Sequence, residues 1–292
     1  MYVSLTAGAI LAMLPFLWMT FSSFMTRGET IRRAIIPDQI QWDNYVSAWR
    51  EAHFGHYFEN SIIIAVIQVL GTLIFSLMAA YPLARMDFRG RDTIFAIILA
   101  TLMIPETVTM VPNFLTVTWL HRNTPVPWLN NWLSLTVPFL TSAFSIFLLR
   151  QFMRGIPNDL WEAARIDGAG HVRFLFRIVL PLCRPPLLTV GMFTFIGSWN
   201  SLAWPLLVTN SSEWRPISVG LQQFVSEAGA EINLQMAGAV IATIPVLIVY
   251  FLIQKEFVKI NFFSSNLAGF LPIEFKLNKI LASSKEKSSE LP

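Results

Sequence analysis

Six stretches of mostly apolar residues, at roughly 3–24, 61–84, 93–115, 131–149, 185–208 and 235–253, limit what this chain can fold into. A helix crosses the hydrocarbon core of a bilayer with about 20 such residues, and each stretch is of that order. Inside lipid a backbone must satisfy its own hydrogen bonds, so stretches of this length read as helices. Composition agrees, since only 13% of the 292 residues are charged, against about a quarter in soluble domains. The first stretch lacks a basic leading segment and a small-residue cleavage site, so it reads as a spanning helix, not a secretion signal. The expectation is an all-α membrane protein with six transmembrane helices.

Lys and Arg in short loops remain on the cytoplasmic side. Fifteen of them follow even-numbered stretches and six follow odd-numbered ones, which predicts both termini inside. The net charge of +3 lies in short segments between apolar runs, an arrangement that points away from nucleic acid. A single cysteine, Cys183, excludes an internal disulfide, and no Cys/His set has zinc-ligand spacing. His53 and His56 read as ordinary loop residues. The outer loop from Arg27 to Asn60 carries Trp42, Tyr45, Trp49, Phe54, Tyr57 and Phe58, a density of aromatics that suits a stretch lying along the membrane surface.

The segment from Arg150 to Pro186 is too long for a simple turn and too polar for the bilayer. Pro157, Asn158 and Asp159 start a helix, Leu160 to Ile166 continue it, and Gly168 and Gly170 break it. A second run, Val172 to Leu180, places Val172, Leu175, Phe176 and Val179 on one face before Pro181 ends it. Glu162-Ala163-Ala164, then Asp167-Gly168-Ala169, then Leu180-Pro181 resembles the EAA loop of ABC importer permeases. The resemblance extends over about residues 57–254, and is closest to the maltose-type carbohydrate permeases. Asn60-Ser61 opens the second stretch, Pro105 to Pro112 marks the third, Phe147 to Phe152 leaves the fourth, Trp199 to Leu206 lies in the fifth, and Ala237 and Pro245 lie in the sixth. Family members usually carry a basic segment before the first helix and end near the position of Ile260. Here Met1 almost abuts the helix and the chain runs on to Pro292.

The resemblance implies a type I importer permease core at 57–254 with its EAA loop at 157–181. Residues 1–56 are expected to be the first helix and outer loop, and 255–292, rich in Lys and Ser, a cytoplasmic, disordered tail. It implies that Glu162, Ala163, Ala164, Asp167, Gly168 and Gly170 form a coupling helix that docks on a separate ATPase. The partners it implies are an ATPase dimer, a second permease subunit, a periplasmic or lipid-anchored solute-binding protein, and membrane lipid. The phosphate-loop pattern Gly-x-x-x-x-Gly-Lys-Ser/Thr is absent, so this chain is expected to hold no catalytic residue, metal or cofactor, with ATP and magnesium bound by the ATPase.

For the solute path the candidates are Glu106, Trp199 and Asn200. Glu106 is the sole charge inside the six stretches, and a charge there should face protein or water. An aromatic face with amide hydrogen bonds suits a sugar, whereas Trp204 reads as an interface anchor. The stretches contain no Lys or Arg, which favours a neutral sugar or polyol. Glycerol 3-phosphate or another small solute is the alternative, and an ion-coupled secondary transporter a remote one.

Overall fold

The computed structural model describes residues 2–51, 54–226 and 229–254. His53 and the segment 255–292 lie outside the described residues. In chain order the helices are α1 (Tyr2–Ser23), α2 (Arg27–Ile31), α3 (Asp43–Glu51), α4 (Phe54–Arg85), α5 (Arg91–Thr101) and α6 (Glu106–Asn123). They continue as α7 (Trp132–Phe139), α8 (Ala143–Arg154), α9 (Asp159–Ile166), α10 (His171–Leu182), α11 (Arg184–Trp199), α12 (Ala203–Val208), α13 (Ile217–Gln222) and α14 (Ile232–Gln254). Between α13 and α14, Val225–Ser226 pairs antiparallel with Gly229–Ala230. Packing is described for the unit Met1–Leu247.

Among the described residues, α1, α4 and α14 are each long and apolar enough to cross a membrane. The other spans are broken: α5 and α6 meet at 99°, α7 and α8 at 41°, and α10 and α11 at 77°. Counting each bent pair as one span gives six. In the third stretch, 93–115, where Pro105 and Pro112 are both expected to disrupt the helix, the break falls at Pro105 alone. Leu102 to Ile104 leave the helix, and Pro105, with extended backbone, becomes the N-cap of α6. A proline denies its predecessor the helical region and lacks an N–H of its own, so the break falls before Pro105. Pro112 leaves α6 continuous. The stretch 185–208 is likewise interrupted, ending at Trp199 and restarting at Ala203.

The 32-residue α4 is the central element, packed on α8 and α11. Its buried face carries polar side chains at Asn60, Gln68, Thr72 and Ser76 between apolar ones at Ile64, Ala65 and Ala80. These polar groups repair the broken fourth span. Pro138 has no N–H to give the Ser134 carbonyl, and that carbonyl accepts the Trp204 indole N–H at 2.8 Å. The Leu135 carbonyl accepts from Gln68 at 2.7 Å, and the Phe139 carbonyl from Thr72 at 3.1 Å. Trp204 is therefore a buried repair to a bent helix, edge-on to Phe139, and not the interface anchor expected.

The aromatics before the second span are also corrected in part. Trp42 and Trp49 are exposed, but Phe54 and Tyr57 are fully buried. They press on glycines: a Cβ at Gly238 would stand 2.8 Å from Phe54 and 2.9 Å from Leu221, and one at Gly220 would stand 2.5 Å from Tyr57. Asn44 fastens this region, donating to the carbonyls of Ser23 and Met25 and accepting from Asn233 at 3.0 Å. By contrast α1 is exposed from Tyr2 to Trp18, an apolar surface suited to lipid.

Replacing Gly238 by Ala forces a methyl against two packed side chains. We expect Gly238→Ala to lower stability by about 1–3 kcal/mol, read as a drop in Tm of the detergent-solubilised chain. Gly197→Ala, whose Cβ would meet nothing within 4 Å, should leave Tm near that of the wild type.

Candidate functional site

The polar segment after α8 folds as two helices joined by a tight turn. Helix α9 ends in a left-handed glycine: Gly168 has φ +73°. Its N–H reaches the Arg165 carbonyl at 3.0 Å, and the Ala169 N–H reaches the Ala164 carbonyl at 2.8 Å. This pair of bonds closes a helix with a glycine just past its end, and any side chain at Gly168 would be strained. The chain leaves in the extended direction at Gly170 and enters α10 at His171.

Two expectations about the second arm are corrected. Pro181 does not end it, since α10 continues to Leu182, where proline sits in the first positions of a new turn. Nor do the four residues expected on one face share one environment, since Val172 and Phe176 are 71% and 58% exposed. The buried residues are Phe174, Leu175 and Val179. From Leu175 to Val179 the helix widens into a π-turn, and a one-residue bulge of this kind departs from the regular 3.6-residue period on which the expected face was counted.

The loop is held by contacts that its own motif does not announce. The Trp161 ring stacks on His171 with centroids 4.4 Å apart and meets Phe174 edge-on at 5.0 Å, which ties the two arms together. The Tyr81 hydroxyl bonds His171 Nδ1 at 2.9 Å. One turn further along α4, the Arg85 guanidinium donates to Asn158 Oδ1 at 2.8 Å and to the Ile156 carbonyl. Nearby the buried Arg150 donates to the Leu83 carbonyl at 3.0 Å and to Asp92 at 3.1 Å, and lies 3.7 Å above the Phe95 ring. A desolvated guanidinium needs such partners, and here they join α8, α4 and α5. The sequence does not single out Tyr81, Arg85, Trp161 and His171, and it marks Arg150 only as part of the Phe147 to Phe152 run. The available signal was a Tyr and an Arg one helical turn apart at the end of the second span.

The six motif residues come together on this one projection. Ala164 faces inward, packed among Leu149, Met153 and Phe174, while Glu162, Ala163, Asp167, Gly168 and Gly170 are exposed. Leu160, Val172 and Phe176 are exposed beside them, and Ile166 is 87% exposed. The projection thus offers small residues, a carboxylate and apolar side chains on its outer surface, a composition suited to a protein contact.

The three path candidates differ in setting. Glu106 is exposed in the first turn of α6, where the free N–H groups of a helix start favour a carboxylate. Trp199 is buried; its indole N–H donates to the Ala242 carbonyl at 3.0 Å, and its ring stacks on Phe195 and meets Phe58 edge-on. Asn200 caps the end of α11 with its side chain exposed at the break before α12. Trp199 packs with Phe54 and Ala237, whereas α6, the helix that carries Glu106, packs through Val117 with Ile64 and Leu135, a separate cluster.

Residues 72–259 match the family described as "Binding-protein-dependent transport system inner membrane component". A diacetylchitobiose uptake system permease protein of Streptomyces coelicolor is 33% identical over 251 residues, covering 85% of this chain and 82% of that protein. An arabinooligosaccharides transport system permease protein of Bacillus subtilis is 31% identical, covering 86% and 89%. An sn-glycerol-3-phosphate transport system permease protein of Yersinia enterocolitica is 32% identical, covering 88% and 93%. A crystal structure of a bacterial ABC transporter involved in the import of the acidic polysaccharide alginate superposes with TM-score 0.76 at 27% identity, covering 87% of this chain and 94% of that one. The relatives are transport permeases and not enzymes. With the six apolar spans, the exposed helical projection and these matches together, the chain belongs to the inner-membrane permease components of binding-protein-dependent ABC importers.

Proposed function

We propose that this subunit translocates a sugar or related polyol, and that the α9 projection is where it receives work from a separate ATPase. The observation that carries the reading is the division of labour within the motif: Ala164 is packed against the subunit's own core while Glu162 and Ala163 stand exposed. A surface of small residues lets a partner approach closely, and Glu162 can pair with a basic group across the contact. The partners are an ATPase dimer that binds ATP with magnesium, a second permease subunit completing the cavity, and a periplasmic or lipid-anchored binding protein that delivers solute. Both termini and the α9 projection lie on the cytoplasmic side, as the excess of Lys and Arg on that side supports.

ATP binding and hydrolysis then bias a two-state equilibrium between inward-open and outward-open cavities, through contacts on the projection that differ between the states. The broken helices suit this role, because irregular backbone at membrane depth is stable where it lines a cavity or packs on protein. Glu106, at the start of the half-helix α6, lines the path or its gate. Asn200 offers its amide to solute at the second break, and Trp199, its N–H already engaged, holds that break in place.

A neutral carbohydrate fits better than a phosphorylated solute. Relatives are named for both oligosaccharides and sn-glycerol 3-phosphate, so the preference rests on the six apolar stretches, which contain no Lys or Arg; Arg150, just past the fourth, is committed to Asp92 and the Leu83 carbonyl.

We expect Glu162→Lys to reduce ATPase recovered on co-purification by roughly tenfold, as for loss of a charge contact at the centre of an interface; equal recovery would remove the docking role. Glu106→Gln should lower ATP-driven uptake of labelled sugar in proteoliposomes by about tenfold or more, while ATPase recovery stays at the wild-type level. Unchanged uptake would exclude a role for the charge.

A further inference from the structure

Helix α4 is bonded to the rest of the chain at both ends, and the spacing of those bonds matches a membrane. At one end Tyr81 and Arg85, one turn apart, hold both arms of the projection: Arg85 the entry to α9 through Ile156 and Asn158, Tyr81 the start of α10 through His171. Because His171 is stacked on Trp161, the two grips act on one rigid unit. At the other end His56 and Asn60, again one turn apart, bond the Glu213 carbonyl at 2.6 and 2.7 Å, Asn60 reaches the Arg215 carbonyl at 3.2 Å, and Ser61 accepts the Ile217 N–H at 2.7 Å. From Ser61 to Tyr81 a helix rises about 30 Å at 1.5 Å per residue, which is the thickness of the hydrocarbon core.

We propose that α4 is a strut that makes the segment 213–217 move with the α9–α10 projection, Tyr81 and Arg85 being the positioning residues at its inner end and His56, Asn60 and Ser61 those at its outer end. The inference rests on the coupling role assigned to the projection and adds a defined route from it. Coupling through a packed element requires that both ends be fixed to what moves. Here each end is held by directional hydrogen bonds, which transmit displacement in a way that apolar sliding contacts do not. Within the strut, the bonds from Gln68 and Thr72 to the Leu135 and Phe139 carbonyls make the bent fourth span follow it. The segment 213–217 therefore reports, on the far side of the membrane, the position of a loop that never approaches it. A binding protein seated on that side would meet a surface whose placement depends on the nucleotide state.

The test uses the intact complex with its ATPase. A fluorophore is attached at Ser212→Cys, an exposed position beside the bonded carbonyls; the native Cys183 is buried. Trapping the ATPase with MgATP and vanadate should shift the emission. In the double variant Tyr81→Phe, Arg85→Gln the shift, read per ATPase recovered with the complex, should fall by about fivefold or more, the lower end of typical coupling between sites. Arg85→Lys, which keeps a donor for the Ile156 carbonyl, should restore part of it. The outer-end variant His56→Ala, Asn60→Ala should give the same loss without touching the loop, and decides the matter if the inner variant fails to assemble. An undiminished shift in both double variants would overturn the strut. Absence of the ATPase from the wild-type preparation would instead overturn the coupling role of the projection.

Discussion

Lipid offers no hydrogen bonds, so every break in a membrane helix must be repaired by the protein itself, and most of this structure follows from how the repairs are made. Pro138 leaves the Ser134 carbonyl without its helical partner, and Trp204 supplies one. Gln68 and Thr72 serve the next exposed carbonyls of the same bend. The Leu83 carbonyl near the end of α4 is served by Arg150. In each case the donor comes from a different span, so satisfying the backbone also fixes which helices are neighbours. Helix α4 takes part in most of these repairs, which is why a single apolar-looking span carries a buried row of polar residues.

That constraint separates what could be read from sequence from what could not. Spans one, two and six were legible because their apolar runs are uninterrupted, and the helix–turn–helix of residues 159–182 was legible because Asp159, Gly168 and Gly170 mark its joints. The break in the third span was visible in Pro105, but the 99° turn there depends on how α5 and α6 pack, which no local pattern encodes. Trp204 misled for a related reason. A tryptophan near a span end is compatible with the membrane interface, and only the location of an orphaned carbonyl on another helix shows that its N–H is used inside. The split of the α10 face into buried and exposed residues was not legible, because a π-turn is not written in the spacing of apolar residues.

The functional surface shows the same division. The motif residues were found through their resemblance to the EAA loop, in which Gly168 takes a positive φ and Ala164 is buried. What holds the motif in place is distant in sequence: Tyr81 and Arg85 lie far upstream, and their bonds to His171, Ile156 and Asn158 exist only in the folded subunit. A loop fastened by an aromatic stack and a guanidinium, with its outer side exposed, suits the docking role proposed for it. The spans behind it, bent at three places and packed on one long helix, suit a subunit that alternates between two arrangements.

We propose that the α9 projection lies in the cytoplasm under a partner ATPase. Ile166→Cys puts a thiol at its most exposed apolar position, in a chain whose native Cys183 is buried. A membrane-impermeant maleimide should label this thiol in inside-out vesicles once the ATPase is stripped, and should be excluded while the ATPase is bound. Labelling in right-side-out vesicles, or labelling indifferent to the ATPase, would contradict the account.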